Sequence, residues 1–263
     1  MYGFRLILSA FIFIILSSVV FAQTYNFDTH MLDLKGELSS DDAYQDNFGR
    51  FDAYQLNMNK GDYIKIKLKA DFFPLITIVA PSGIHKISFP DDQNPVVNLE
   101  KEINETGRWY IYVSGDSTDV GAHELQLCYV AENTRQLPPD SDICTITQFL
   151  LAHSKTNFFY YRDKDCDVEN GSWDVDLPNQ NLFDNEEVKA KGNSVSFVLQ
   201  TNSNVNKNKF GEWSYQISEC LSDDWIEKGS DNQTVFIESS GSRKIKIEYN
   251  SGKITLSFIT SIK

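Results

Sequence analysis

Alternating carboxylates mark one short stretch of this chain. Asp163, Asp165, Asp167 and Glu169 stand at every second position, and Asp174 falls at the twelfth place counted from Asp163. Calcium takes six to eight hard oxygens, and such spacing can converge them. Val168, however, holds the sixth place, where a calcium loop needs glycine for its turn, and a β-branched residue resists that conformation. The run therefore also reads as an acidic, solvated loop. A second acidic set is Asp41, Asp42, Asp46 and Asp52, and a third is Asp91–Asp92. Calcium is the one cofactor these sets suggest. His123-Glu124-Leu125-Gln126-Leu127 opens like the H-E-x-x-H of zinc proteases but ends in Leu127 and lies in a strand pattern, so it fails on residue and on element. His30, His85 and His153 are scattered, and no G-x-S-x-G elbow or Walker loop occurs. No catalytic set is expected from these motifs.

Sulfur is the other reactive element. The cysteines are Cys128, Cys144, Cys166 and Cys220, without a C-x-x-C pair, so neither a zinc knuckle nor a thioredoxin-type motif is supported. An even count favours two disulfides in an exported chain, and free buried thiols are the alternative. Parity offers a pairing. In Glu124 to Tyr129 the apolar face is Leu125, Leu127 and Tyr129, so Cys128 points away from it. Cys144 opens a helical stripe and Cys220 closes another. The expected bridges are Cys144–Cys220 and Cys128–Cys166.

The N-terminus sets the address. Met1 to Arg5 carries one basic residue, Leu6 to Phe21 is apolar apart from serines, and Val20 and Ala22 are small residues placed for cleavage before Gln23. That is a secretory signal over 1–22. An uncleaved anchor is the alternative, but the apolar run is short against the ~20 residues of a membrane span. No later stretch approaches that length, so no membrane insertion is expected after cleavage. Net charge is −13, which disfavours nucleic acid as a partner. Asn104-Glu105-Thr106, Asn170-Gly171-Ser172 and Asn232-Gln233-Thr234 match the N-glycan pattern and are read as chance matches.

The elements that must position these groups divide the chain. Residues 23–131 read as β. Tyr63 to Lys69 alternates, with Ile64, Ile66 and Leu68 on one face and lysines on the other, the mark of a half-buried strand. Leu75 to Ala80 is more uniformly apolar, and Pro81-Ser82-Gly83 turns the chain. In Trp109 to Val113, Tyr110 and Tyr112 share one face and Trp109, Ile111 and Val113 the other. The tyrosines are expected to pack on a neighbouring domain or loop, or else to grip a glycan or peptide. Short strands between turn signals imply a β-sandwich. Residues 132–142, with Pro138–Pro139, read as a stiff linker.

Gly36-Glu37-Leu38, Phe51 to Leu56, Lys60-Gly61-Asp62-Tyr63-Ile64, Phe72 to Ile78, Glu105 to Val113 and Gly121 to Leu125 form an ordered set. Together, over about residues 32–131, they resemble the bacterial pre-peptidase C-terminal domain. That resemblance implies a jelly-roll-like, non-catalytic sandwich of the kind appended to secreted enzymes, some members of which bind calcium or an extracellular polymer. Here no peptidase precedes it, which departs from the usual accessory placement.

Residues 143–263 mix periods. Ile143, Ile146, Phe149 and Leu150 give one helical stripe, and Phe210, Trp213, Ile217 and Cys220 or Leu221 another. Asp140, Ser141 or Asp142 can cap the first helix. Val195 to Leu199, Thr234 to Glu238, Lys244 to Tyr249 and Lys253 to Phe258 read as strands, with a hairpin turn at Asn250-Ser251-Gly252. The fold class is therefore mainly β: an N-terminal sandwich followed by a smaller α+β domain. The expected function is a secreted or periplasmic, non-catalytic binding protein for an envelope protein, glycan or surface polymer. The rivals are a secreted hydrolase with its site in the α+β domain, and an inhibitory or structural partner of another exported protein.

Overall fold

A computed structural model describes residues 27–45, 49–83, 85–90, 96–116, 118–164, 167–177, 182–202 and 204–262. The signal segment 1–22, Asp46, Asp91, Asp92, Asp165 and Cys166 lie outside these.

The first domain runs through β1 (Thr29–Leu38), β2 (Tyr44–Gln45), β3 (Gly49–Met58), β4 (Tyr63–Ala70), β5 (Leu75–Val79), β6 (His85–Ser88), β7 (Val96–Glu102), β8 (Gly107–Ser114) and β9 (Gly121–Val130). One sheet has the order β1-β9-β4-β7 and the other β2-β3-β8-β5-β6. Apart from the two-residue β2, strands of each sheet are drawn from both ends of the segment, as in a double Greek-key jelly roll. Alternation explains the layering. Ile64, Ile66 and Leu68 are fully buried in β4, and Trp109, Ile111 and Val113 in β8. They meet across the gap with Ile76, Ile78, Val97, Leu125 and Leu127. Each such side chain contributes roughly 2 kcal/mol by leaving water.

The second domain begins with α1 (Ile143–Ser154) and continues through β10 (Gly171–Asp174), β11 (Asn185–Lys191), β12 (Ser194–Gln200), α2 (Lys207–Cys220), β13 (Trp225–Ser230), β14 (Gln233–Glu238), β15 (Arg243–Asn250) and β16 (Lys253–Ser261). Asp142 caps α1 by accepting from the Thr145 amide at 2.7 Å, which satisfies one orphan donor of the first turn. The strands form one antiparallel sheet in the order β10-β11-β12-β16-β15-β14-β13. Register aligns Val188, Phe197, Phe258, Ile245 and Phe236 in one row across five strands. That row packs with Ile146, Phe149 and Leu150 of α1 and Phe210, Trp213 and Ile217 of α2. Ser251 and Gly252 both have positive φ, 50° and 80°, so the β15–β16 hairpin turns on two left-handed residues, as its tight loop demands.

Residues 132–142 do not behave as a spacer. Thr134 and Leu137 are buried. Thr134 Oγ1 accepts from the Asp28 amide at 2.6 Å, and its carbonyl pairs with His153 Nε2 at 2.7 Å. Thr29 Oγ1 donates to the Ala152 carbonyl at 2.6 Å. Phe27, just before β1, packs edge-on to Phe149 with centroids 5.2 Å apart. Cys128, Tyr63 and Val130 on the outer face of the first sheet form a small core with Phe159 of the second domain.

Candidate functional site

The outer face of the first sheet is a grid set by register. Met31, Cys128, Lys65 and Glu100 form one row, Asp33, Gln126, Lys67 and Asn98 the next, and Lys35, Glu124, Lys69 and Val96 the third. The second domain covers only part of it. Phe159 and Tyr160 pack over the first row, where Tyr63 donates to Glu100 at 2.9 Å and Lys65 lies 3.1 Å from the same carboxylate. Lys164 sits over the Tyr63 and Tyr160 rings at 4.9 and 5.4 Å. At the second row Lys67 pairs with Asp167 from the covering loop, and Gln126 Nε2 donates to Asp33 at 3.1 Å. Lys35 pairs with Glu124 at 2.6 Å in the third row.

A trough of about 310 Å³ remains between that loop and the sheet, lined by Asp33, Lys35, Lys67, Lys69, Glu124, Gln126 and Asp167. Gln126 Oε1 is buried there without a hydrogen-bond partner, an acceptor that a ligand donor would satisfy. The hydrogen bond and charge of Lys35 hold the Glu124 carboxyl below its ordinary range, and Glu124 raises Lys35 in turn. Burial works against the Glu100 carboxylate, yet hydrogen bonds from Lys65 and Tyr63 keep it below the usual range. The trough thus gathers Lys35, Lys67 and Lys69 on one face of an acidic protein.

On its other side β1 borders a second depression of about 300 Å³, lined by His30, Leu32, Leu56, Met58, Leu127 and Tyr129. Leu32 is 39% exposed there, and His30 stacks on Tyr129 with centroids 5.7 Å apart. β1 hydrogen-bonds to β9 alone and ends its sheet. One ten-residue strand therefore presents an edge without a neighbouring strand among the described residues, with a charged trough on one flank and an apolar cleft on the other.

His123 sits near the same strand. It is buried, 2.9 Å from the Tyr54 hydroxyl and 3.5 Å from Asp52, while Nδ1 has no hydrogen-bond partner. Burial lowers the His123 pKa despite Asp52 and Asp42, and burial raises Asp52. The imidazole is neutral at neutral pH and closes the sheet end against Phe72. In the second domain His153 is enclosed by Phe149 and Tyr161 at 4.7 and 4.9 Å. Burial lowers its pKa to about 4.

The acidic runs from the sequence are dispersed onto separate partners. Asp163 accepts from Trp173 Nε1 at 2.9 Å. The Asp167 carboxylate faces Lys67 while its carbonyl accepts from buried Arg162 at 2.8 Å. Glu169 is exposed. Asp42 accepts from the Ser39 amide at 2.6 Å, Asp41 is within 3.5 Å of the Ser40 hydroxyl, and Asp52 faces His123. No group of three or more His, Cys, Asp or Glu among the described residues is placed to hold a metal ion. Cys128 is disulfide-bonded; the expected partner, Cys166, lies outside the described residues. The expected Cys144–Cys220 bridge is not formed: both are free thiols. Tyr110 and Tyr112 stack on each other, with centroids 6.2 Å apart, on the outer face of the second sheet, whereas the second domain packs on the first.

Sequence reasoning had not picked out Leu32, Lys35 or Gln126. The signal was present in Met31 to Leu38, where Leu32 and Leu34 alternate with Asp33 and Lys35, but only pairing with β9 places that strand at an edge.

No protein-family model matches the chain, and no curated protein matches it. Over part of its length it is similar to a larger set of solved structures, represented by two. One is PliG from Aeromonas hydrophila, a periplasmic lysozyme inhibitor of g-type lysozyme. It is 15% identical, with 38% of this chain and 87% of that one covered and a TM-score of 0.30. The other is the pre-peptidase C-terminal domain of collagenase from Bacillus anthracis. It is 16% identical, with 36% and 87% covered and a TM-score of 0.29.

Proposed function

We propose that this chain is an exported, non-catalytic binding protein that takes up an extended segment of a partner protein along the edge of β1. The observation that carries this reading is that unpaired edge, flanked by the charged trough and the cleft at Leu32. An extended segment added there gains main-chain hydrogen bonds from β1, and its alternating side chains fall into opposite flanks. Apolar side chains would meet Leu32, Leu56 and Tyr129; charged ones would meet Lys35, Lys69 and Asp33. Export is supported by the leader-like residues 1–22 and by the disulfide-bonded Cys128. The ordered motifs shared with pre-peptidase C-terminal domains support a non-catalytic sandwich.

The test compares immobilised wild-type protein with Leu32→Glu and Lys35→Glu. Each is incubated with exported proteins from its own source, and bound material is cross-linked and mapped. Retention of a defined protein, cross-linked near β1 and lost in Leu32→Glu, is the expected result. Retention that neither substitution alters, or retention of polysaccharide alone, overturns the reading.

A further inference from the structure

Cys144 and Cys220 are a matched pair set by helix packing. Cys144 is the second residue of α1 and Cys220 the last of α2. The helices pack on each other over the same sheet face, so the start of one meets the end of the other. Both thiols are half-buried, and each lies within hydrogen-bonding reach of the other. Cys220 Sγ also lies 3.4 Å from the Ile217 carbonyl, which orients the thiol at the helix end.

We propose that Cys144 and Cys220 are a disulfide-forming site that ties the start of α1 to the end of α2, closed by exchange with a disulfide oxidant. Cys144 is the attacking sulfur. It sits in the first turn of a twelve-residue helix, where unsatisfied amides and the helix dipole favour a thiolate. Burial raises both thiols, and the Asp142 carboxylate adds to this, but the hydrogen bond from Cys220 acts in the opposite direction on Cys144.

The Cys144 thiolate attacks one sulfur of a disulfide R–S–S–R, its own proton having gone to solvent. The S–S bond breaks, the leaving sulfur departs as RS⁻ and takes up a proton, and Cys144–S–S–R forms. Cys220 then loses its proton and attacks the Cys144 sulfur. A second RS⁻ leaves and is protonated, and Cys144–Cys220 closes. Two protein thiols are oxidised, one disulfide is reduced to two thiols, and no other electron donor or acceptor enters. The bridge encloses β10, β11, β12 and all of α2. It thereby constrains a long loop of the unfolded chain.

The full-length protein is incubated with oxidised glutathione, alkylated, digested without reductant and mapped by mass spectrometry. The expected product is a Cys144–Cys220 cross-linked peptide lacking two hydrogens. Its formation should speed up with rising pH, and the melting temperature should stand about 5–15 °C above that of the reduced pair. In Cys220→Ser, Cys144 should instead accumulate as the mixed disulfide with glutathione. Two results would each overturn the proposal: both sulfurs recovered alkylated after oxidation of the native protein, or a cross-link from either to Cys128 or Cys166. A Cys220→Ser variant whose Cys144 stays unmodified while the native protein cross-links would reverse the assignment of the attacking sulfur.

Discussion

Gly36 is the position where one added methyl group should be felt most sharply. It lies opposite His123 in the β1–β9 ladder. A Cβ built there would stand 2.4 Å from His123 Cε1, 2.6 Å from Nε2 and 2.8 Å from Asp52 Oδ2. Its backbone is that of an ordinary strand, so the substitution itself introduces no strained dihedral. Gly36→Ala alone should therefore stabilise by about 0.5–1 kcal/mol through the unfolded chain. Against that, the imidazole must retreat by about 1 Å, an overpacking that costs about 1–3 kcal/mol. The retreat also breaks the His123–Tyr54 hydrogen bond, worth about 1 kcal/mol. The net expectation is a loss of about 1–3 kcal/mol, or a melting temperature lower by about 3–10 °C. Urea unfolding gives the free energy. Ring NMR of His123 should show its pKa moving up from its depressed position as water reaches the ring. The decisive arm is a double-mutant cycle: in a His123→Ala background the same Gly36→Ala change should cost nothing or stabilise. An equal cost in both backgrounds would refute the steric argument.

His153 should make the second domain sensitive to acid. Its folded pKa is held near 4 against 6.5 for the free side chain, so below about pH 6.5 the unfolded chain takes up a proton the native state refuses. Stability should be at its plateau above pH 6.5 and decline down to about pH 4, by roughly 3 kcal/mol from this group. Unfolding measured at stepped pH should show a shallower decline in His153→Gln. Glu238 acts in a lower window. Hydrogen bonding to Arg243 holds its carboxyl near 2, against 4.5 for the free group, so its contribution is present above pH 4.5 and is lost as pH falls toward 2; Glu238→Gln should remove that component of the acid limb. Asp142→Ala should destabilise by about 1 kcal/mol through the lost cap, seen as a lower urea midpoint with an unchanged slope. Calcium added after chelation should leave the melting temperature unchanged, because Asp163 and Asp167 already serve Trp173 and Lys67; a rise of several degrees would mean that the loop rearranges around an ion.

Local signals were legible where burial is one-sided. Ile64, Ile66 and Leu68 alternate with lysines, and the structure buries the first set. Parity correctly turned Cys128 away from the sandwich core, and the acids before Ile143 supplied the cap. The strands β10, β11 and β13 carried no such signal. β13 is Trp-Ile-Glu-Lys-Gly-Ser, exposed along most of its length at a sheet edge, and β11 opens with three polar residues. An edge strand need not alternate, because neither face is fully dry. The trough was unreadable for a different reason. Lys35 meets Glu124, and Lys67 meets Asp167, through pairings between remote segments that no local pattern encodes. The segment 132–142 read as a linker from its prolines, but Leu137 and Thr134 are pulled into the second core, a tertiary effect invisible in composition.

The junction at Phe27, Thr29 and Thr134 bears on how this molecule could be dissected. The sandwich enters and leaves through the same end, and both of its chain ends are anchored in the neighbour's interior. Excising the sandwich would bare Tyr63, Cys128 and Val130 as a sticky apolar spot and leave Phe27 without its niche. A transplantable cassette requires ends that hang free; these are interlocked, so a fusion or truncation cut near residue 131 should aggregate, whereas both lobes kept in one polypeptide should travel as a single rigid unit.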